Sequence, residues 1–350
     1  MRALLDLAMH CHVLIPGFGW PHDDAGERHA APAPLALETL IARGRRTRTE
    51  VPALERWLLE RFGVERQRDW PAAPFSLLAE GGSPGSDVWM CADPVHLRIE
   101  RNRLMLADST AFGIARDEAE ALAGAINSHF GDSLMVYPLQ AHRWYARLAA
   151  CPDIETTPLS SVRGVAIEAQ LPRGPEAMRW QSLANELQML LHDHPVNLAR
   201  EARGELPVNS VWLWGAGRLA PLSARPFQYV AAAAPLARGL AQSSGAQARE
   251  QAANAQAWLE EAGGHAGIVL VALDALAAPS QYGRADAWRE ALAQLERAWF
   301  APLLAALKDR NIGMLTLHLF GPAHLLEVEI TRSDLRRFWR PRRPAAGWME

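Results

Sequence analysis

The chain has 350 residues, of which 49% are hydrophobic and 21% are charged, and its formal net charge is -3. This composition excludes a disordered chain, which would be poor in apolar residues, and it leaves no basic excess for a dedicated nucleic-acid-binding protein. We therefore expect a globular protein with one large domain or two ordinary ones and no nucleic-acid partner.

The cysteines and the apolar runs indicate where the protein works. Cys11, Cys91 and Cys151 are widely spaced and odd in number, which suits neither a disulfide framework nor a CxxC metal site. This pattern favours a reducing compartment. No apolar run reaches the roughly 18 residues that a membrane span requires. The sequence thus predicts a cytoplasmic protein that does not bind to a membrane.

The first part of the chain combines a strand, a helix and a flexible segment. Residues 12–15 read as a short buried strand that ends in a Pro-Gly turn. Thr49 is a suitable N-cap for a helix that ends before Gly63. The Pro-, Gly- and Ser-rich segment 71–87 is the best candidate for a domain boundary.

The next part has the composition of a small α+β module. Two strand patterns, a helical pattern and a further strand pattern follow one another at 95–99, 104–106, 115–130 and 134–137. We therefore assign 88–165 to an inserted α+β module, and 1–87 and 166–350 to an α/β core.

The rest of the chain alternates helices with strands. The sequence predicts a helix up to about Asp193, a strand at 211–214 before a Gly-Ala-Gly turn, and a helical region at 231–262. The runs 268–273 and 314–317 are typical of strands that a parallel sheet buries on both faces. Strands that alternate with helices in this way predict an α/β fold.

The densest polar stretch is HDHPVNLAREARGELPVNSVWLWGAG. His194 can be a metal ligand or the polar end of a helix, and the absence of a nearby ligand cluster favours the second. Asn197 and Asn209 can offer amides to a ligand or can cap and bridge turns. Gly215 and Gly217 resemble part of a phosphate loop, but a tight turn accounts for both.

Arg200 lies in the same stretch and has the planar guanidinium that binds phosphate and carboxylate groups well. It can equally be a structural brace. Because open α/β sheets bind ligands in the loops that follow their strands, we expect a ligand site here. The predicted ligand-binding residues are His194, Asn197, Arg200, Asn209, Gly215 and Gly217.

This stretch also resembles a known family. The pattern HPVN-x2-R-x3-G-x-LPVN-x-VWLWGAG at 194–217 is similar to a segment of the archaeal-type cofactor-independent phosphoglycerate mutases. Its Trp-Leu-Trp-Gly ending, together with DPVHL at 93–97 and HRWY at 142–145, resembles the bacterial RpfE-type regulatory protein family. That family is related to these mutases and so to the alkaline phosphatase superfamily. The resemblance implies an alkaline-phosphatase-like, mostly parallel sheet flanked by helices.

The resemblance also allows the catalytic positions to be compared. The mutases are two-metal enzymes with a serine nucleophile, and their Asp and His ligands stand at strand ends. Here the first strand ends in Pro16, and the last keeps only His318 and Pro322. Thr49, followed by glutamate, is the nearest match to the nucleophile. The strand at 268–273 and the loop after it offer Ala272, Ala277 and Gln281, with Asp274 out of register.

Proline, alanine and glutamine supply no anionic oxygen or imidazole to a metal. The resemblance therefore implies that the fold is retained and the two-metal chemistry is lost. We expect no metal and no other cofactor. We expect a non-catalytic protein that binds a small phosphorylated or carboxylated metabolite, or a protein partner, with a regulatory outcome. The alternative is an active mutase or phosphatase with an altered site, in which Thr49 would be the nucleophile.

Overall fold

The computed structural model describes part of the chain, namely residues 9–19, 34–100, 102–263, 267–344 and 348. The chain divides into two units. The first consists of Met1–Leu54 and Ala224–Glu350, and the second of Glu55–Ser223. No helix in the described ranges is both long enough and apolar enough to cross a membrane.

The strands of the described residues are numbered here in chain order. They are β1 (His10–Pro16), β2 (Arg45–Glu50), β3 (Val88–Glu100), β4 (Arg103–Asp108), β5 (Leu134–Gln140), β6 (Arg143–Leu148), β7 (Ser210–Gly217), β8 (Tyr229–Ala231), β9 (Gln247–Arg249), β10 (Ile268–Ala272), β11 (Met314–Phe320) and β12 (His324–Thr331).

The helices are numbered in the same way. They are α1 (Leu35–Arg43), α2 (Leu54–Arg61), α3 (Ala72–Ala79), α4 (Arg116–Phe130), α5 (Ala177–His192), α6 (Pro195–Ala202), α7 (Pro235–Ser243), α8 (Ala255–Ala262), α9 (Ala277–Gln281), α10 (Ala285–Leu295) and α11 (Ala301–Lys308). A π-helical turn, Glu296–Phe300, joins α10 to α11.

The first unit contains a seven-stranded sheet with the order β2-β12-β11-β1-β10-β8-β9. β1 pairs in parallel with β10 and β11, and β8 pairs in parallel with β10 and β9. β12 and β2 complete the sheet by antiparallel pairing. The expected α/β fold with a mostly parallel sheet is thus confirmed.

A large apolar core of the first unit lies on one face of this sheet. Because successive side chains of a strand point to opposite faces, Cys11, Val13 and Ile15 of β1 enter this core, whereas His10 and His12 point the other way. The core also contains apolar side chains of α1, α8, α10 and α11. The rings of Trp258 and Trp299 lie 6.0 Å apart there. This packing leaves the histidines of β1 on the opposite face.

The second unit contains a five-stranded antiparallel sheet. Its order is β4-β3-β6-β5, and β7 pairs with β3. Apolar residues of α4 and α5, among them Leu122, Ile126 and Leu187, pack with Met90 and Ala92 of β3. The strands and the helix predicted between 95 and 137 are all present.

The second unit is wider than the predicted module 88–165. The strand predicted at 211–214 was expected in the α/β core, but in the structure β7 pairs antiparallel with β3, with Ala92 opposite Leu213. The flanking helices α3, α5 and α6 belong to the same unit. Because β7 and these helices pack with β3 in one unit, that unit extends from Glu55 to Ser223.

Three local predictions are wrong. The segment 71–87 is not a domain boundary, because it contains the buried helix α3 and the first boundary between the units follows Leu54. Thr49 is not a helix N-cap, because it lies in the edge strand β2 and α2 begins only at Leu54. The region 231–262 is not helical throughout, because β9 separates α7 from α8. Both missed strands are short edge strands, and neither shows the apolar alternation of a half-buried strand.

Candidate functional site

Arg200, the strongest anion-binding candidate of the sequence, is 2% exposed in α6. Its Nε donates to the carbonyl oxygen of Leu206 at 2.9 Å, and Nη2 donates to that of Gly113 at 2.6 Å. Nη1 forms an ion pair with Glu118. Each of the three guanidinium nitrogens is therefore engaged within the protein.

Asn197 is buried beside Arg200 in the same helix and is 1% exposed. Its Nδ2 donates to the carbonyl oxygens of Leu191 and Val208, at 2.8 and 2.9 Å. Its Oδ1 accepts from the backbone N–H of Val208 at 2.8 Å. The side chain thus ties the end of α5 to the segment that leads into β7.

Asn209 and His194 also contact the backbone. Asn209 accepts from the N–H of Leu97 at 2.7 Å and donates to its carbonyl oxygen at 2.8 Å, which links the start of β7 to β3. His194 is the N-cap of α6, with Nδ1 accepting from the N–H of Val196 at 3.2 Å. Burial lowers the pKa of His194, which favours the neutral ring that a cap acceptor requires.

The two glycines allow β7 to approach α3 closely. A Cβ on Gly215 would lie 3.0 Å from Cβ of Ala72, and one on Gly217 would lie 2.5 Å from Cβ of Pro71. Gly215 also adopts a φ of +70°. The six predicted residues therefore do lie around α6 and β7. The contacts of Arg200, Asn197 and Asn209 favour the bracing alternative, whereas Gly215 and Gly217 lie within β7 and not in the expected turn.

The carboxyl ends of the parallel strands are the place where an open α/β sheet binds its ligands. Pro16 is the last residue of β1, and Gly17 after it has a φ of +75°. The carbonyl oxygen of Gly17 accepts from Nε1 of Trp288 at 2.9 Å. The N–H of Phe18 donates to the carbonyl oxygen of Phe320 at 2.8 Å, which closes the turn onto the end of β11.

The positions matched to metal ligands carry poor donors. Ala272 ends β10, and Ala277 and Gln281 are the first and last residues of α9. Among the described residues, no group of three or more His, Cys, Asp or Glu is placed to hold a metal ion. The segment 20–33, which follows β1, lies outside the described residues. The described positions Ala272, Ala277 and Gln281 therefore supply no carboxylate or imidazole to a metal.

Thr49, the match to the nucleophile, is exposed near the end of β2 and lies opposite Leu325 of β12 in the antiparallel pair. Glu50 is the last residue of that strand and lies opposite His324.

His318 does not stand at a strand end. It is 1% exposed within β11, and its Nδ1 lies 2.9 Å from Oε1 of Glu327. Its Nε2 lies 2.8 Å from Nδ1 of His12. His10 contacts the hydroxyl of Thr316 at 2.9 Å on the same face. His12, His318 and Glu327 thus form a hydrogen-bonded line along which a proton can be shared.

This row of hydrogen-bonded side chains is not evident in the sequence, because no carboxylate is close to His318 in the chain. Antiparallel pairing of β11 with β12 places Glu327 directly opposite it. The available signal was the short connection between two strand patterns, LTLHLF and HLLEVEIT, which predicts a hairpin and hence a cross-strand pair.

In the second unit, the structure brings together two residues of the motifs that carry the family resemblance. Trp214 donates its Nε1–H to Oδ2 of Asp93 at 2.7 Å. Burial raises the pKa of Asp93 to about 7, against the lowering effect of this hydrogen bond. Tyr145 of β6 donates its hydroxyl to Oε2 of Glu80, which follows α3, at 2.8 Å. Raised carboxyl pKa values occur in functional sites and also in structural hydrogen-bond networks.

The same unit has a cavity of about 190 Å³ beside β3, β4, β7 and α5. Its polar lining consists of neutral groups, among them the amides of Gln170, Gln181, Asn185 and Gln188. None of the described lining residues is charged, so these residues offer a phosphate no ion pair.

Comparison with known proteins places the chain next to one family. A family model described as 2,3-bisphosphoglycerate-independent phosphoglycerate mutase matches residues 81–197, which lie within the second unit. A mutase of that name from Methanosarcina mazei is 32% identical over 155 residues, covering 42% of this chain and 38% of the relative. A probable mutase from Geobacter sulfurreducens is 32% identical over 152 residues, covering 42% and 37%. The chain thus spans less than two fifths of the length of these relatives.

Solved structures agree with the fold. The PH0037 protein from Pyrococcus horikoshii superposes with a TM-score of 0.54 at 12% identity, covering 93% of this chain and 87% of that one. The chain therefore shares its fold with the PH0037 protein, and its sequence is related to the cofactor-independent phosphoglycerate mutases.

Proposed function

We propose that this relative of the cofactor-independent phosphoglycerate mutases is a non-catalytic regulatory protein that works by binding. The observation that carries the proposal is the pair Pro16 and Ala272, which occupy the carboxyl ends of the neighbouring parallel strands β1 and β10. In an open α/β sheet these strand ends are where a ligand or metal is held.

Two-metal phosphoryl transfer needs anionic oxygens or imidazoles to hold the metal ions, which clamp the attacking and leaving oxygens. Neither proline nor alanine offers such an atom. The histidine of β11, His318, contacts His12 and Glu327 instead. The donor set of the described residues therefore supports binding without this chemistry.

The ligand that we propose is a small phosphorylated or carboxylated metabolite or a protein partner, and the setting is the cytoplasm, as in a regulatory protein of the RpfE type. The regulatory role rests on the sequence resemblance in Asp93 and Trp214, whose side chains the fold places in contact.

The test combines metal content with turnover. The protein is purified without chelator, its bound metals are measured, and conversion of 3-phosphoglycerate to 2-phosphoglycerate is followed with Mg, Mn, Co and Zn. The Methanosarcina mazei mutase serves as the positive control. We expect neither tightly bound metal nor turnover. Two Mn or Zn ions per chain together with metal-dependent turnover would overturn the proposal.

The alternative, an active enzyme with an altered site, has its own discriminating variant. If turnover is found, Thr49→Val removes the only matched nucleophile and abolishes it. Thr47→Val is the matched control, because Thr47 is an exposed threonine of the same strand. Equal activity in both variants would leave Thr49 without a role.

A further inference from the structure

A pocket in the first unit is lined by arginines from two distant parts of the chain. Arg46 and Arg48 lie in β2, whereas Arg340 and Arg343 follow β12. Together with Trp348 they line a cavity of about 420 Å³. We refer to these four arginines and Trp348 as the arginine pocket.

Trp348 organises the pocket. It is 8% exposed, and the guanidinium carbon of Arg46 lies over its ring, 4.4 Å from the centroid. Arg343 lies 5.6 Å from the same centroid. Nη2 of Arg48 donates to the carbonyl oxygen of Trp348 at 2.7 Å. A stacked guanidinium is fixed in orientation and still keeps N–H groups at its edge for an anion.

Two arginines next to the pocket have acidic partners of their own. Arg45, the preceding residue in β2, forms an ion pair with Glu329, and Arg337 forms one with Asp334 at 2.8 Å. None of the described residues that line the pocket is acidic. The positive charge is therefore gathered at the pocket, in a chain whose formal net charge is -3.

The concentration of positive charge in the pocket affects the pKa of Arg46. Its pKa is lowered, first by burial and then by the positive charges of Arg340, Arg343 and Arg48. Each of these effects disfavours the charged guanidinium. An anion bound among the arginines would relieve the repulsion, so the pocket gains free energy by taking one up.

We propose that the arginine pocket binds a small ligand that carries several phosphate groups. The fork of N–H groups on a guanidinium matches the oxygens of a phosphate, and four such groups call for a ligand with several negative charges. A concave cavity of about 420 Å³ has the size of a small-molecule site. The inference rests on these residues alone and does not depend on the proposed function.

The test is calorimetric titration of the full chain with inorganic tripolyphosphate. A control titration uses sulfate at the same ionic strength. We expect the wild type to bind tripolyphosphate, and Arg46→Gln and Arg343→Gln each to weaken binding by about tenfold. Arg45→Gln is the matched control, since it removes a charge from the same strand outside the pocket. It should change the affinity by no more than about twofold.

Melting temperatures without ligand separate loss of the site from loss of the fold. Arg46→Gln should melt close to or above the wild type, because it removes a repelled charge. Adenosine triphosphate that binds more tightly than tripolyphosphate would identify a nucleotide as the source of the phosphates, and equal binding would identify the phosphates alone. Either result supports the proposal.

Three results would overturn it. The first is no binding of tripolyphosphate by the wild type. The second is equal weakening by Arg45→Gln and Arg46→Gln, which would indicate a diffuse charge effect. The third is binding of a single-stranded oligonucleotide or of anionic phospholipid vesicles through these arginines without binding of tripolyphosphate, which would make the surface a macromolecular one.

Discussion

Trp214 in β7 donates its indole N–H to the carboxyl of Asp93 in β3, at 2.7 Å. Both side chains are buried, and they come from segments more than one hundred residues apart. The hydrogen bond stabilises the ionised carboxylate and so lowers the pKa of Asp93, whereas burial raises it. Burial is the stronger effect, and it raises the pKa of Asp93 to about 7.

This raised pKa predicts a specific pH dependence of stability. In the unfolded chain Asp93 ionises near its ordinary pKa, whereas in the folded chain it keeps its proton up to about pH 7. The unfolded state therefore binds fewer protons between these values, and rising pH lowers the free energy of unfolding. Between pH 5 and pH 8 the loss from this one group is roughly 2–3 kcal/mol.

Asp93→Asn should remove that loss, because the amide does not titrate and its oxygen still accepts from Trp214. Urea unfolding at pH 5 and pH 8 checks the prediction. The variant should gain stability relative to the wild type at pH 8 by roughly 2–3 kcal/mol more than at pH 5. Identical pH dependence in the two proteins would show that Asp93 is ionised in the folded state.

Arg200 provides a prediction about stability rather than binding. Arg200→Ala leaves Glu118 without its buried partner and leaves the carbonyl oxygens of Leu206 and Gly113 without a donor. Breaking a buried pair in this way costs about 3–5 kcal/mol. We expect a loss of this size in chemical denaturation.

Arg203→Ala is the control for Arg200. Arg203 also pairs with Glu118, at 2.6 Å, but its side chain is 49% exposed. Its removal should cost less than about 1 kcal/mol. If Arg200→Ala unfolds like the wild type and instead abolishes a thermal shift from phosphorylated three-carbon acids, Arg200 is a ligand-binding residue and the bracing interpretation is wrong.

The strands that can be predicted best from the sequence are those that are recognisable without knowing which strands they pair with. β10 and β11 are runs of apolar residues, and a parallel sheet buries such runs on both faces wherever they fall in the order. β7 has the same local appearance, because each of its residues is buried. Nothing within SVWLWGAG shows that its partner is β3, so its assignment to the α/β core could not be corrected from the sequence.

In the candidate site, too, the sequence identifies the residues but does not reveal the partners of their side chains. The sequence identified Arg200, Asn197 and Asn209 as unusual polar residues, and all three do make several hydrogen bonds. Their partners lie up to 112 residues away, so composition alone could not distinguish a brace from a ligand site. The arginine pocket was missed for the same reason, since it joins an exposed edge strand to the far end of the chain.

The turn after β1 yields the last prediction. Gly17 has a φ of +75°, and a Cβ there would lie 2.7 Å from both Cα of Ala277 and the carbonyl oxygen of Leu276. Gly17→Ala therefore combines an unfavourable backbone conformation with a clash against backbone that cannot move alone, for a cost of about 3 kcal/mol.

Gly283 is the matched control, because it lies in the same unit with a φ of +65° and has no described atom within 4 Å of an added Cβ. Gly283→Ala should cost only about 1 kcal/mol, the conformational part alone. Chemical denaturation of the two variants measures the difference, which is the contribution of the close approach between the end of β1 and the start of α9. Equal costs would mean that the turn relaxes away from α9 and that packing does not fix the backbone at this strand end.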